Sequence, residues 1–399
     1  MVTFRDCHNL PVSDSAGLLV PADEWFTHQI VETHAYVAQA DRSWTEKVCA
    51  MAAARDGSLQ VGLGVGKYPN RNVFDGYASV SRGREQWTVR SSRRLADDPG
   101  SMATGPIHYE VLEPMRQVRF ACAANEHQPI AFEWIFDAVA PAVLEARDRN
   151  RARSGYRLDM DVLRYHQVGL ASGWVEVDGV RTEITRDGWF TTRDHSWGVR
   201  QDVGIAPTDT EPARGLVPGV AFRFSWSPML LERPDGEHYA IHHQFRELSA
   251  FGYEERRFEA TIEHSSGKVE RVGAVHTDLE YDAATRRVLG GVIHLTMPDG
   301  SDRPLTVTAL GDTGIHLGMG LYFGLDGHHH GEWRGALHVE GEHVPDCTDP
   351  DVARRIHQIR DAVMRVDDVV GGGSGWCNLQ TTVVGAWPDL GLDEESSFI

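Results

Sequence analysis

From Gly188 to Asp202 the sequence reads Gly-Trp-Phe-Thr-Thr-Arg-Asp-His-Ser-Trp-Gly-Val-Arg-Gln-Asp, which gathers tryptophan, arginine, aspartate and histidine into one short segment. In a strand the side chains alternate, so Arg193, His195 and Trp197 share one face while Asp194 and Ser196 share the other. Gly198 then permits a bend or a close backbone approach. A carboxyl beside apolar aromatic surface is desolvated and its pKa rises, which suits a general acid near neutral pH. An arginine neighbour does the reverse and holds the carboxylate ionised. Asp194 is therefore a candidate proton donor or orienting carboxylate, and His195 its candidate acid/base partner. Trp189 and Trp197 are candidate cavity walls, since an indole face stabilises a nearby cation by about 0.5–2 kcal/mol. Arg193 and Arg200 are candidates for holding a carboxylate or oxygen of a substrate. The same residues could equally form a buried hydrogen-bonded ladder that only fixes the junction between two sheets.

Other motifs carry less. Gly62-Leu63-Gly64-Val65-Gly66-Lys67 has the glycine density of a phosphate loop. Tyr68-Pro69-Asn70 opposes the helix such a loop needs, so these glycines read as close packing in a strand. His328-His329-His330 follows Asp326-Gly327 and reads as a solvated loop; neighbouring histidines in a strand point to opposite sides, as at His242-His243, so no metal site is expected. A Gly-x-Ser-x-Gly elbow is absent from the sequence, as is the glycine fingerprint of a nicotinamide site, and no cofactor is expected.

The elements that must position these residues are strands. Asp-Gly pairs, suited to tight turns, occur at residues 56, 75, 178, 187, 235, 299 and 326. Alternating runs flank several of them, as in Trp174–Val177 and Val180–Ile184, or Val292–Met297 and Leu305–Leu310. The expectation is a mainly β chain of two antiparallel barrels in tandem, residues 1–205 and 216–399, divided by the turn-rich segment 205–215. Phe132, Trp134, Phe136 and Ala138 form an aromatic row on one strand face, either core or, for Trp134, a wall of a ligand cavity. One helix is expected over 350–367, capped by Asp349 with Pro350 at its first position. A weaker helix is expected over 140–151.

The chain has 399 residues and a formal charge of −19, which opposes binding to nucleic acid or to an anionic membrane face. Its five cysteines are widely spaced and form no Cys-x-x-Cys pair, so free thiols and a cytoplasmic location are expected. No segment has the apolar length of a transmembrane helix. The expected partner is a hydrophobic small molecule, with a homodimer among the permitted assemblies.

Three stretches together carry a resemblance: Tyr165-His166-Gln167-Val168-Gly169, Gly173-Trp174-Val175-Glu176-Val177-Asp178-Gly179, and Arg193-Asp194-His195-Ser196-Trp197-Gly198-Val199-Arg200. They resemble an uncharacterised bacterial branch related to the two-domain lipocalin-like (calycin) proteins. The broader group includes hydroxyneurosporene synthase, a carotenoid 1,2-hydratase, and lipocalin-like Diels–Alderases. The Asp23-Glu24-Trp25 region adds to the likeness in layout. The resemblance implies paired lipocalin-like barrels around a hydrophobic ligand, and chemistry without a redox cofactor. It places Tyr165 among the candidate substrate-binding residues. The expected activity is that of a lyase or isomerase (hydratase, dehydratase or cyclase) on an isoprenoid or polycyclic molecule. The alternative is a non-catalytic carrier, in which Asp194 and His195 turn away from a dry cavity.

Overall fold

A computed structural model describes residues 19–26, 28, 40–151, 158–209 and 217–399. Two antiparallel, barrel-like sheets make up the fold, one nearly closed and the other a half-barrel, with a single short α-helix among the described residues. In the first sheet the central order is Val73–Arg82, Gln60–Tyr68, Trp44–Ala54, Trp189–Val199, Leu158–Val177, Ile130–Ala138. The second runs from Val269–Arg271 to Ala274–Tyr281, with Val220–Glu232 and His238–Ala250 near its middle. Leu337–Val344, from the second half of the chain, pairs with Glu85–Arg94 on the edge of the first sheet.

The expected hairpin at Asp178-Gly179 is present, with both residues at positive φ and Val177 facing Val180. Asp75-Gly76 behaves differently. It lies inside Val73–Arg82 and makes no turn, because Gly64 on the neighbouring strand comes so close that a Cβ on Gly76 would sit 2.7 Å from its carbonyl oxygen. The glycines at 62, 64 and 66 occupy Gln60–Tyr68, where Met51, Tyr77 and Tyr68 lie across the missing side chains. Gly198, at φ +135°, lets Trp189–Val199 press against the Asp161 carbonyl.

The helix expected over 350–367 stops at Arg355. His357 and Gln358 take positive φ, which breaks the helical path, and Arg360–Asp368 continues as a strand of the second sheet. Its apolar residues fit a period of two as well as of four, and pairing with Gly373–Val384 decides between them. The weaker helix expected over 140–151 is instead two short strands, Val143–Leu144 and Asp148–Arg151, both paired to Leu158–Val177. Among the described residues no helix is long and apolar enough to cross a membrane, and the four described cysteines are free and buried.

An apolar cluster occupies the first barrel. Phe120, Phe132, Trp134, Phe136 and Trp189 belong to its main apolar cluster. Trp134 and Trp189 are core residues there, and the Trp134 Nε1–H donates to Thr191 Oγ1 at 3.3 Å.

Candidate active site

Register decides which residues meet. His195 lies opposite Tyr165 and Val48, and Asp194 opposite His166 and Cys49; Ser196 faces Arg164 and Lys47. Arg193, His195 and Trp197 thus enter the first barrel. Asp194 joins Lys47, Arg164 and His166 on its outer surface, which the second sheet and the 317–335 segment cover. Asp194 and His195 are next in sequence but separated by the sheet, so they form no acid/base pair.

Inside the barrel the Asp23-Glu24 region meets the Arg193–Trp197 motif. Arg193 forms a bidentate pair with Glu24, at 2.5 and 2.8 Å, and also donates to Gln167 Oε1 at 2.7 and 3.1 Å. Tyr109 and Tyr165 donate to Glu24 Oε1 at 2.7 and 3.1 Å, and the Met115 amide to Oε2 at 2.6 Å. Burial alone would raise the Glu24 pKa; the Arg193 guanidinium outweighs it and holds the carboxyl down at about 2. His195 Nδ1 lies 3.1 Å from the Tyr165 hydroxyl and Nε2 lies 3.0 Å from Glu46 Oε1. Glu46 also takes His28, whose ring stacks on Trp197 with centroids 3.5 Å apart. Every polar atom named here has a partner. The network is closed.

On the outer surface the balance is different. A narrow cleft, with free space of only about 20 Å³, is lined by Lys47, Asp75, Tyr77, Arg90, His329 and His330 among others. Lys47 is nearly fully buried, and among the described residues its Nζ makes no hydrogen bond; it sits 4.0 Å from the centroid of the Tyr322 ring. Burial pushes its pKa down to about 8, and Asp75 is the largest opposing charge. Asp75 accepts a 2.6 Å bond from the Gly331 amide, and the Tyr68 hydroxyl nearby also favours its ionised form. Burial nevertheless lifts its pKa to about 6, against Lys47, the Gly331 amide and the Tyr68 hydroxyl. Tyr68 also lies 2.9 Å from His330 Nδ1. The histidine loop is therefore not the solvated loop expected: His330 is buried against Tyr68, and His329 lines the cleft.

Behind the cleft, burial raises the pKa of Asp194, with Arg164 and Arg200 opposing. Arg164 Nε lies 3.4 Å from its Oδ2. Arg200 donates to Ser196 Oγ, and its charge acts on Lys47 and Asp194. Of the eight residues singled out from the sequence, Arg193, His195, Trp197 and Tyr165 come together inside the barrel. Asp194 and Arg200 flank the cleft from behind, while Trp134 and Trp189 pack in the core. Lys47 and Asp75 were missed. Lys47 stands in an alanine-rich strand without a motif, and Asp75 carries the Asp-Gly signal of a turn.

The chain belongs to a family of unknown function, DUF8625, whose profile matches residues 19–393. No curated protein matches it. Among solved structures, an AttH candidate from Nitrosomonas europaea shares 12% identity and a TM-score of 0.49, over 89% of this chain and 97% of that one. Kievitone hydratase from Nectria haematococca shares 11% identity at a TM-score of 0.40, covering 90% and 95%. CghA with Sch210972 shares 10% at 0.47, covering 86% and 89%. Likeness at this level transfers no chemistry.

Proposed function

For this member of that family, we propose cofactor-independent acid–base catalysis, as a lyase or isomerase of the hydratase, dehydratase or cyclase kind, in the cleft holding Lys47 and Asp75. One observation carries the reading: a buried amine and a buried carboxyl face one cleft with pKa values of about 8 and about 6. Near pH 7 the first is mostly an ammonium and the second mostly a carboxylate, so a donor and a base coexist without a bound metal or redox group entering the proton balance. In a dehydration Asp75 takes a proton from the carbon next to a carbonyl. Lys47 gives one to the departing hydroxyl, and a C=C bond and water result. The reverse sequence adds water.

The polar wall fits a carbonyl or hydroxyl group of the substrate. Val65 and Leu321 offer apolar contact to the rest, and the cleft, with about 20 Å³ free, must widen to admit an isoprenoid or polycyclic body. Arg90 is already paired with Glu340 and Glu342, so Lys47 is the cation left for the substrate oxygen. Asp194 and Arg200 serve as positioning residues that set the field at Lys47. His195 belongs to the closed network and holds the strand. A carrier would need none of this: two ionisable groups held off their ordinary pKa values add nothing to passive storage of an apolar guest.

The test uses proton exchange at carbon, which needs no knowledge of the natural substrate. The protein is incubated in D₂O with a panel of β-hydroxy carbonyl and α,β-unsaturated carbonyl compounds, and deuterium uptake is read by mass spectrometry. At least one compound should exchange with a bell-shaped pH profile whose limbs fall near 6 and 8. Lys47→Met and Asp75→Asn should each lower the rate by about a hundredfold or more. Uptake at the buffer rate across the panel, or rates unchanged in both variants, would leave the carrier reading in its place.

A further inference from the structure

A second polar cluster on the outer surface of the first barrel lies outside the cleft. Glu145 follows the short strand Val143–Leu144, His166 belongs to Leu158–Val177, and His242 belongs to His238–Ala250 of the second sheet. His166 Nδ1 is 3.2 Å from Glu145 Oε1, and His242 Nε2 is 3.4 Å from the same oxygen. One ligand atom from each lies within 4.8 Å of the others. None of the three side chains is more than 3% exposed.

His242 is the anomaly. Neither of its ring nitrogens has a hydrogen-bond partner among the described residues, although the ring is fully buried. A buried imidazole with two idle nitrogens carries an uncompensated desolvation cost. Its surroundings look prepared for a cation. His166 Nε2 lies 2.6 Å from Glu263 Oε1, which also accepts the Thr261 hydroxyl at 2.7 Å. Both ring nitrogens of His166 thus face carboxylates; a metal at Nδ1 would replace the proton there, while Glu263 keeps the Nε2–H and the ring's orientation, the arrangement that orients metal-bound histidines. The Trp226 Nε1–H donates at 3.0 Å to Glu145 Oε1, and Arg164 lies 3.3 Å from the other oxygen.

We propose that Glu145, His166 and His242 form a buried divalent-metal site that clasps the two sheets, with two nitrogens and one oxygen as donors. That set suits zinc, whose preferred ligands are imidazole, carboxylate and thiolate in a compact tetrahedral shell. The imidazoles of His166 and His242 lie stacked, centroids 3.8 Å apart and planes 17° apart. His242 must therefore turn to bring Nε2 to about 2.1 Å from a common centre. No hydrogen bond holds it back. His243, next in sequence, points to the other side and contacts Ser225, which is why the His242-His243 pair alone signals nothing.

The test is made on the full chain, prepared in zinc-supplemented medium and also refolded with zinc, then passed through a weak chelator. Elemental analysis should find about one zinc per chain, and the cobalt-substituted protein should show a visible band of a tetrahedral centre. His242→Phe keeps the stacked ring and removes both donors. It should fold, judged by circular dichroism, and retain less than about a tenth of the zinc, while losing the melting-temperature gain that zinc gives the parent. Glu145→Gln provides an independent second variant with the same expected loss. Less than about 0.1 zinc per chain from both preparations, or zinc content unchanged in both variants, overturns the site. Deuterium uptake at the Lys47 cleft is a separate readout.

Discussion

Inside the first barrel, Arg193 meets Glu24 through two hydrogen bonds and Gln167 through two more, and Tyr109, Tyr165 and Met115 complete the carboxylate's shell. On the outer side of the same sheet, Lys47 is also buried but rests on the Tyr322 ring, with no carboxylate at ion-pair distance among the described residues and Asp75 as its largest counter-charge. The two regions face the same cost of burying charge. The first offsets it fully, and its groups are thereby locked in one protonation state. The second offsets it in part, and its groups titrate near neutrality. Saturated charge builds a scaffold, while undersatisfied charge is free to move protons.

The comparison breaks most directly at Arg193. Replacing it by Met leaves Glu24 buried without its cation, and a buried pair broken from one side costs about 3–5 kcal/mol. Urea unfolding should show that loss as a lower midpoint. Loss of less than about 1 kcal/mol would mean the network is not the scaffold described.

pH separates the two regions with opposite signs. Glu24 has its folded pKa below the unfolded value, so its contribution is complete above the unfolded value and is lost as pH falls toward 2. That contribution is about 3 kcal/mol at pH 7 by linkage, and Glu24→Gln forfeits it. Asp75 has its folded pKa above the unfolded value, so its ionisation weakens the fold as pH rises from about 4 through 6. Asp75→Asn should therefore gain about 1–3 kcal/mol relative to the parent between pH 4 and 7. Stability against pH for both variants checks this, and parallel curves would refute the contrast.

The sheet architecture was legible because alternation and Asp-Gly turns are local signals; the hairpin at 178–179 needed nothing else. The faces of Trp189–Val199 were legible for the same reason, and Arg193, His195 and Trp197 indeed share one side. Partners across strands were not legible. Lys47 reaches the cleft because of its register against Ser196, and Asp75 because glycines at 64 and 76 let two strands close up around it. Arg360–Asp368 was read as helix since its spacing fits both periods, and only pairing on both sides distinguishes them. Asp194 and His195 look like a pair in sequence, but alternation sends them to environments on opposite sides of one sheet.

Trp134 gives the smallest and most discriminating check on that boundary between scaffold and cleft. Its indole stacks on Phe120 with centroids 4.7 Å apart and donates its one hydrogen bond to Thr191. Trp134→Phe keeps an aromatic ring in the core but loses that bond and some volume, so it should cost about 1–2 kcal/mol, from the unmade bond and the void together. Because the side chain lies in the barrel's apolar cluster and not on the cleft, the deuterium-exchange profile at the Lys47 cleft should stay unchanged in height and in both limbs. A shifted profile with intact stability would place Trp134 at a substrate wall after all. The acid–base centre would then have to be sought inside the barrel, where every donor and acceptor around Glu24 is already engaged.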